Sequence, residues 1–349
     1  MLIQMSTAPL QVLCCQETGL CTMRVCRMGG CRVMLALVLV ITVILLCLHG
    51  NHFLDRGLQK DMQPRIGKHV AVWSITRQSE PEKSLPDDHA DLKFLRKYGR
   101  ISGLPTEQEL QNMTKKELTY IYHSHLDNTD YACHRKIRMG TAADGGWDVC
   151  DDYEFRPIKP CVVYSFGINF DFSFDDDMGK LYGCNVFSFD PTMKMADHER
   201  SPKVRFFKVG LGGAGGALSA DIDTRKVLAT GGSIKSMTDI KTMLGHTNTT
   251  IDIMKIDIEY SEWSALPDML DKGELTNVRQ LLMEFHTYAI DTDAIYRKRL
   301  LIFAKLEALG YRRYHTHTNP WGYKLLMEYP VMRTTAYEVY FVNTKFMRQ

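Results

Sequence analysis

Residues 161–191 read CVVYSFGINFDFSFDDDMGKLYGCNVFSFDP, and the fold is decided here. Two short apolar runs, Cys161–Phe166 and Asn185–Phe189, read as strands, and Phe172–Tyr182 between them fits a helix. The alternation continues outward. Val204–Val209, Ile251–Ile258, Val278–Phe285 and Tyr337–Val342 read as further strands, with helical patterns over Ser236–Leu244, Glu262–Leu270 and Thr292–Leu309. Strands alternating with helices predict an α/β domain built on a mostly parallel sheet with helices on both faces. Upstream, ADLKFLRKYG carries Leu92, Leu95 and Tyr98 at helical spacing. Thr106 and Glu109 form a capping box before an apolar stripe of Leu110, Met113, Leu118, Ile121 and Tyr122, which reads as core.

In such sheets ligands bind beyond the carboxyl ends of the strands, near the point where strand order reverses. The first strand ends in Ser165-Phe-Gly167-Ile-Asn169-Phe-Asp171, and a glycine in this turn lets the backbone approach a ligand. Asp190 closes the second strand ahead of Pro191. A carboxylate about 20 residues beyond a glycine turn is placed to accept hydrogen bonds from both hydroxyls of a ribose. The plain alternative is a tight turn followed by a surface acid.

The next strand runs into Lys255-Ile-Asp257-Ile-Glu259-Tyr-Ser-Glu262. Alternation puts Lys255, Asp257 and Glu259 on one face, so Asp257, Glu259 and Glu262 crowd the strand end. Such a group can hold a cationic ligand group, a metal or a proton. The following strand ends in Glu284-Phe-His286, which makes His286 a candidate general base, against the commoner role of a structural hydrogen bonder. Gly210-Leu-Gly212-Gly-Ala-Gly215 matches the dinucleotide pattern, but the residues after it make a poor helix, and a Gly loop near the pocket is the better reading.

The amino terminus is organised differently. Val33–Leu48 is uncharged and apolar, just long enough to cross a thin bilayer, so 33–50 reads as a signal-anchor helix, with a cleaved signal or a buried helix as alternatives. Arg24, Arg27 and Arg32 precede it, which favours a cytoplasmic tail over 1–32, although basic residues also follow. Residues 51–86, with Pro64, Pro81 and Pro86, form a stem to a domain over 87–349. The sequons at Asn112 and Asn248 favour a lumenal domain in the Golgi or endoplasmic reticulum, or a secreted one if the apolar segment is cleaved.

Of the 10 cysteines, Cys133, Cys150, Cys161 and Cys184 lie within the domain. In a lumen they make two disulfides in any of three pairings; otherwise they are reduced core residues. No CxxC pair supports a zinc site, and no metal ligand set is assigned. Apolar residues at 45%, charged residues at 24% and a net charge of +2 exclude a disordered chain, a multi-span membrane protein and a general binder of nucleic acid.

The segments GGWDVC (145–150), PCVVYSFGINFDFSFDDDM (160–178), YGCNVFSFDP (182–191), KIDIEYSEW (255–263) and LLMEFH (281–286) together resemble the methyltransferase-like protein 24 family, whose domain is called methyltransferase type 22. The domain is also similar to FkbM-type sugar O-methyltransferases. The resemblance implies a seven-stranded Rossmann-like class I methyltransferase domain that binds S-adenosylmethionine. Ser165, Gly167 and Asn169 would then line the cofactor, Asp190 would bind its ribose, and Asp257 and Glu259 would sit beside its methionine amino group or the acceptor. His286, Asp257 and Glu259 would be the candidates for the base that deprotonates an acceptor hydroxyl on a glycan, protein or small molecule.

The pattern departs from the family type in two places. Ser165 stands where an acid is usual two residues before the first glycine, and Asn169 and Asp171 replace later glycines. These changes imply weakened cofactor binding or a non-catalytic binding protein on the same fold. A Golgi-type glycosyltransferase is a further alternative, with Asp175-Asp-Asp177 or Asp221-Ile-Asp223 holding a metal.

Overall fold

The computed structural model describes residues 90–98, 103–216, 227, 229–288, 290–324 and 332–347. The expected tail, membrane anchor and stem lie outside these residues, as do Asp221 and Asp223. No helix among the described residues is long and apolar enough to cross a membrane. Pro81–Gln349 forms one compact unit.

Three helices lead into the domain: α1 (Ala90–Tyr98), α2 (Glu107–Gln111) and α3 (Lys115–Asp127). The Thr106 capping box is present, and a second one, Thr114 with Glu117, restarts the chain as α3. The stripe read as one surface is therefore split between two helices, with Leu110, Leu118, Ile121 and Tyr122 all buried.

A hairpin, β1 (Lys136–Met139) and β2 (Trp147–Cys150), precedes β3 (Val162–Phe166), α4 (Ser173–Asp177), a π-helical turn over Met178–Tyr182, and β4 (Asn185–Phe189). Then come β5 (His198–Glu199), β6 (Val204–Phe207), β7 (Val209–Leu211), β8 (Ser233–Lys235), α5 (Met237–Leu244), β9 (Ile251–Ile256), α6 (Glu262–Asp271), β10 (Val278–His286) and α7 (Asp293–Ala308). The chain closes with β11 (Tyr311–Thr318), the short pair β12 (Tyr323–Lys324) and β13 (Arg333–Thr334), and β14 (Ala336–Asn343). Ser236 and Thr292 cap α5 and α7 with their side chains, as the helix starts in the sequence suggest.

The large sheet has eight strands in the order β11-β14-β10-β9-β3-β4-β6-β5. The two-residue β5 adds an edge strand to the seven expected. Pairings from β10 across to β6 are parallel, while β14 is antiparallel to both of its neighbours. The chain winds outward from β3 in both directions, so the switch point lies between β3 and β9. The apolar run Val204–Val209 is broken at Lys208, so that β6 joins the large sheet and β7 pairs with β8 instead.

Helices do not cover the two faces equally. Tyr164, Met254, Leu281 and Val339 point to a core filled by α2, α3, α5, α6 and α7. Their strand neighbours Val163, Ile253, Leu282 and Tyr340 point the other way, to a thinner layer of α4, the π turn and the β1–β2 hairpin. Both disulfides belong to this thinner layer. Cys133–Cys150 ties down β2, and Cys161–Cys184 joins the starts of β3 and β4. They close loops of 17 and 23 residues. Restricting the unfolded chain in this way is worth about 3 kcal/mol per bridge.

Candidate active site

The carboxyl ends of β3, β4, β9 and β10 open on a cavity of about 600 Å3. Its lining includes Gly167, Asn169, Asp175, Asp190, Lys255, Asp257, Glu259, Glu284 and His286. The acids of three separate sequence segments thus meet at one switch point, and of the cofactor-binding and general-base candidates named from sequence only Ser165 lies off the cavity.

Ser165 is fully buried behind it. In register with Ser188 on one side and Lys255 on the other, it belongs to a polar row across three strands. Asp175, only 1% exposed, caps this row from α4. It accepts hydrogen bonds from the hydroxyls of Ser188 and Ser165. Burial pushes the Asp175 carboxyl up to about 6, against the pull of Ser188 and of the nearby Lys255 ammonium. A cofactor contact by Ser165 is therefore replaced by a supporting one: the serine helps to hold a carboxylate that reaches the cavity from the next helix. Its neighbours in the DDD run turn elsewhere, Asp176 to Arg200 and Asp177 to the amide of Gly140, so the three acids do not converge on a metal.

Gly167 has φ +78, and a Cβ there would lie 1.6 Å from the carbonyl oxygen of Asp257. The glycine thus lets the β3 turn pack on the β9 turn, rather than on a ligand as such. Lys255, itself buried, donates to the carbonyls of Phe166 and Gly167 and fixes the same junction from below. Asn169 and Phe170 continue the turn at positive φ, an uncommon state for residues bearing a side chain.

Asp190 explains how that turn is held. One of its oxygens accepts from the amides of Ile168 and Asn169 at 3.0 and 2.9 Å; the other accepts from the Thr192 amide and hydroxyl at 2.8 and 2.7 Å. A carboxylate has about four lone-pair sites, and protein donors take all four. The expected acceptor of ribose hydroxyls thus also holds the turn itself, while it lines the cavity.

The β9 and β10 ends are different. The strand stops at Ile256, so the alternation read through Glu259 breaks down. Glu259 and Tyr260 instead form a turn at positive φ, with the Glu259 side chain 79% exposed. Glu262 opens α6 and is wholly buried, accepting from the His286 amide at 2.7 Å and facing the His286 Nδ1 at 3.1 Å. The other ring nitrogen, Nε2, points to Glu259 at 3.5 Å and Glu284 at 3.7 Å. Burial alone would depress His286, but Glu262, Glu284 and Asp257 push it up to about 10. Burial and the Asp257 carboxylate push Glu284 up to about 9. These carboxylates favour the protonated ring, which suits His286 to stabilising negative charge.

Glu262 was read only as one of the strand-end acids, Asp175 only as part of a metal-holding alternative, and Glu284 and Lys255 were not assigned a site role from sequence. Glu284 was accessible to it: two residues before His286 on a strand, it must share that face. Asp175 carries no such signal, because its place depends on how α4 folds back over the serine row.

The family described as a methyltransferase domain, Methyltransf_22, matches residues 85–330. The chain is 24% identical over 245 residues to the probable methyltransferase-like protein 24 of Rattus norvegicus, covering 64% of each chain. With the human protein of the same name it shares 24% identity over 244 residues, covering 64% of this chain and 63% of that one. The chain thus spans less than two thirds of the length of the curated relatives it matches. The mixed α/β architecture with its large, mostly parallel sheet fits a class I methyltransferase fold, and the chain belongs to the Methyltransf_22 family of methyltransferase domains.

Proposed function

We propose that the chain is an S-adenosylmethionine-dependent methyltransferase acting on a hydroxyl acceptor. The observation that carries this reading is the convergence of Asp257, Glu259, Glu284 and His286 with the Gly167 turn on one cavity at the switch point. Its volume suits a ligand of this size. S-adenosylmethionine supplies a methyl group on a cationic sulfonium, and the donor set matches it: the lining is rich in carboxylates, while Phe189, Leu211, Val227, Ile234 and Ile258 offer an apolar wall for a purine.

Within that cavity Asp257 and Glu259 are the carboxylates placed to receive the acceptor's proton, and Asp257 also faces the cofactor's cationic groups. The His286 imidazolium, oriented by Glu262, stabilises the oxygen as it loses the proton. The Gly167–Asp257 packing and the Lys255 hydrogen bonds keep the two turns at a fixed separation, which in-line transfer requires. Calorimetric titration of S-adenosylmethionine and S-adenosylhomocysteine into the purified full-length chain tests this, with a nucleotide sugar plus Mn2+ as control. Micromolar binding of both is expected. Silence from a folded sample would favour a non-catalytic scaffold, and a response to the control alone would favour the glycosyltransferase.

The site belongs, on this reading, to a membrane-anchored lumenal domain. Two disulfides and two exposed sequon asparagines, Asn112 and Asn248, support an oxidising, glycosylating compartment. Protein from mammalian cells is expected to gain gel mobility on treatment with an N-glycosidase; unchanged mobility would contradict a lumenal domain.

A further inference from the structure

We propose that Asp257, Glu284 and His286 form a binding site for a divalent cation of the Mg2+/Mn2+ class on the acceptor side of the cavity. One ligand atom from each residue lies within 4.8 Å of the other two. The three come from the ends of adjacent strands, β9 and β10, and all line the cavity, so an ion has a path from solvent. Two carboxylates and one imidazole suit Mn2+ or Mg2+ better than a soft metal, and binding would release the protons that His286 and Glu284 hold in the ion's absence.

The histidine provides an independent indication. His286 is 8% exposed, and its Nε2 faces the carboxylates of Glu259 at 3.5 Å and Glu284 at 3.7 Å, both longer than a good hydrogen bond. A charge-assisted bond between His286 and Glu284 would stand at about 2.7–2.9 Å. The observed separation is 3.7 Å. Ligand atoms about 2.1 Å from a shared octahedral ion stand about 3 Å apart. The buried pair would have to close by about 0.7 Å to share such an ion, and as it stands it makes no good direct hydrogen bond.

The surrounding residues orient the donors as a metal would need. Glu262 faces Nδ1 at 3.1 Å, which leaves Nε2 for the cavity. Such a carboxylate behind a ligating histidine fixes its tautomer and orientation. Asn319 donates to one oxygen of Glu284 at 3.1 Å and leaves the other facing His286. On the methyltransferase reading the ion would take the place of the His286 proton in stabilising the acceptor oxygen. Ion binding itself does not depend on that reading.

The test is Mn2+ binding to the purified full-length chain without S-adenosylmethionine, followed by the electron paramagnetic resonance signal of free Mn2+ and by thermal shift. Wild type is expected to bind at one site and to gain thermal stability. Glu284→Gln and His286→Gln should each weaken affinity at least tenfold, and Glu262→Gln about tenfold through the orientation of His286. Asp176→Asn, in a surface ion pair with Arg200, should leave it unchanged. Wild-type affinity no higher than that of His286→Gln, or insensitivity to Glu284→Gln, would overturn the proposal. If Glu284→Gln does not fold, His286→Gln and Glu262→Gln carry the same decision. Mn2+ binding without any response to the cofactor would remove the methyltransferase reading and leave the ion site; cofactor binding with no Mn2+ response would do the reverse.

Discussion

At one end of the cavity Asp190 accepts four hydrogen bonds from the protein, and at the other Glu284 accepts one from Asn319 while standing among Asp257, His286 and Glu259. Both are strand-end acids, almost equally buried at 4% and 5% exposure. They differ in how many donors reach them. The fully supplied carboxylate is part of the backbone turn it holds. The poorly supplied one is pushed well above the ordinary carboxylate range, because burial and a neighbouring carboxylate disfavour its charge. Position at a strand end is thus shared by a carboxylate that holds a turn and one that faces the cavity sparsely supplied, and the donor inventory separates them.

The largest expected effect comes from breaking the supplied end. Asp190→Ala leaves the amides of Ile168 and Asn169 without their acceptor and removes both bonds to Thr192. Buried donors left unsatisfied cost about 1–3 kcal/mol each, so the substitution should destabilise the domain by about 4 kcal/mol in urea unfolding. Glu284→Gln, which removes a crowded charge and keeps an oxygen for Asn319, should change stability by less than about 1 kcal/mol. A folded and stable Asp190→Ala protein with weakened cofactor binding would instead return the ribose role to Asp190.

This division also marks what the sequence could tell. The strands around Gly167, Asp190, Asp257 and His286 are short apolar runs closed by turn residues, and the caps at Thr106, Ser236 and Thr292 are local chemistry, so both were legible. So was the gathering of acids at strand ends, since the parallel order fixes which ends meet. The hairpin β1–β2 and strand β11 were not, because Arg138, Asp148 and His315 interrupt their apolar pattern with charges that pair across the fold. Nor was the saturation of Asp190, which depends on Ile168 and Asn169 turning their amides back through a positive-φ turn. Ser165 looked like a lost acid, and only the tertiary fold reveals Asp175 above it.

Asp175 stands between the two extremes and sharpens the comparison. It has two serine hydroxyls where Asp190 has four donors, and burial holds its pKa at about 6, above the ordinary 3.8. The folded state therefore binds more protons than the unfolded chain between about pH 4 and 6. The stability this group contributes is full below that window and lost as pH rises through 6. Asparagine has nearly the same shape and does not ionise. Asp175→Asn should match wild type near pH 4 and become relatively more stable as pH rises, with a difference approaching about 3 kcal/mol above pH 7, at about 1.4 kcal/mol per pKa unit. The two proteins should be compared by urea unfolding at both ends of the range, since subtracting one pH dependence from the other removes every group they share. Parallel curves would mean that two hydroxyls and the Lys255 ammonium already replace water around this carboxylate. The line between supplied and unsupplied acids would then have to be drawn at Glu284 alone.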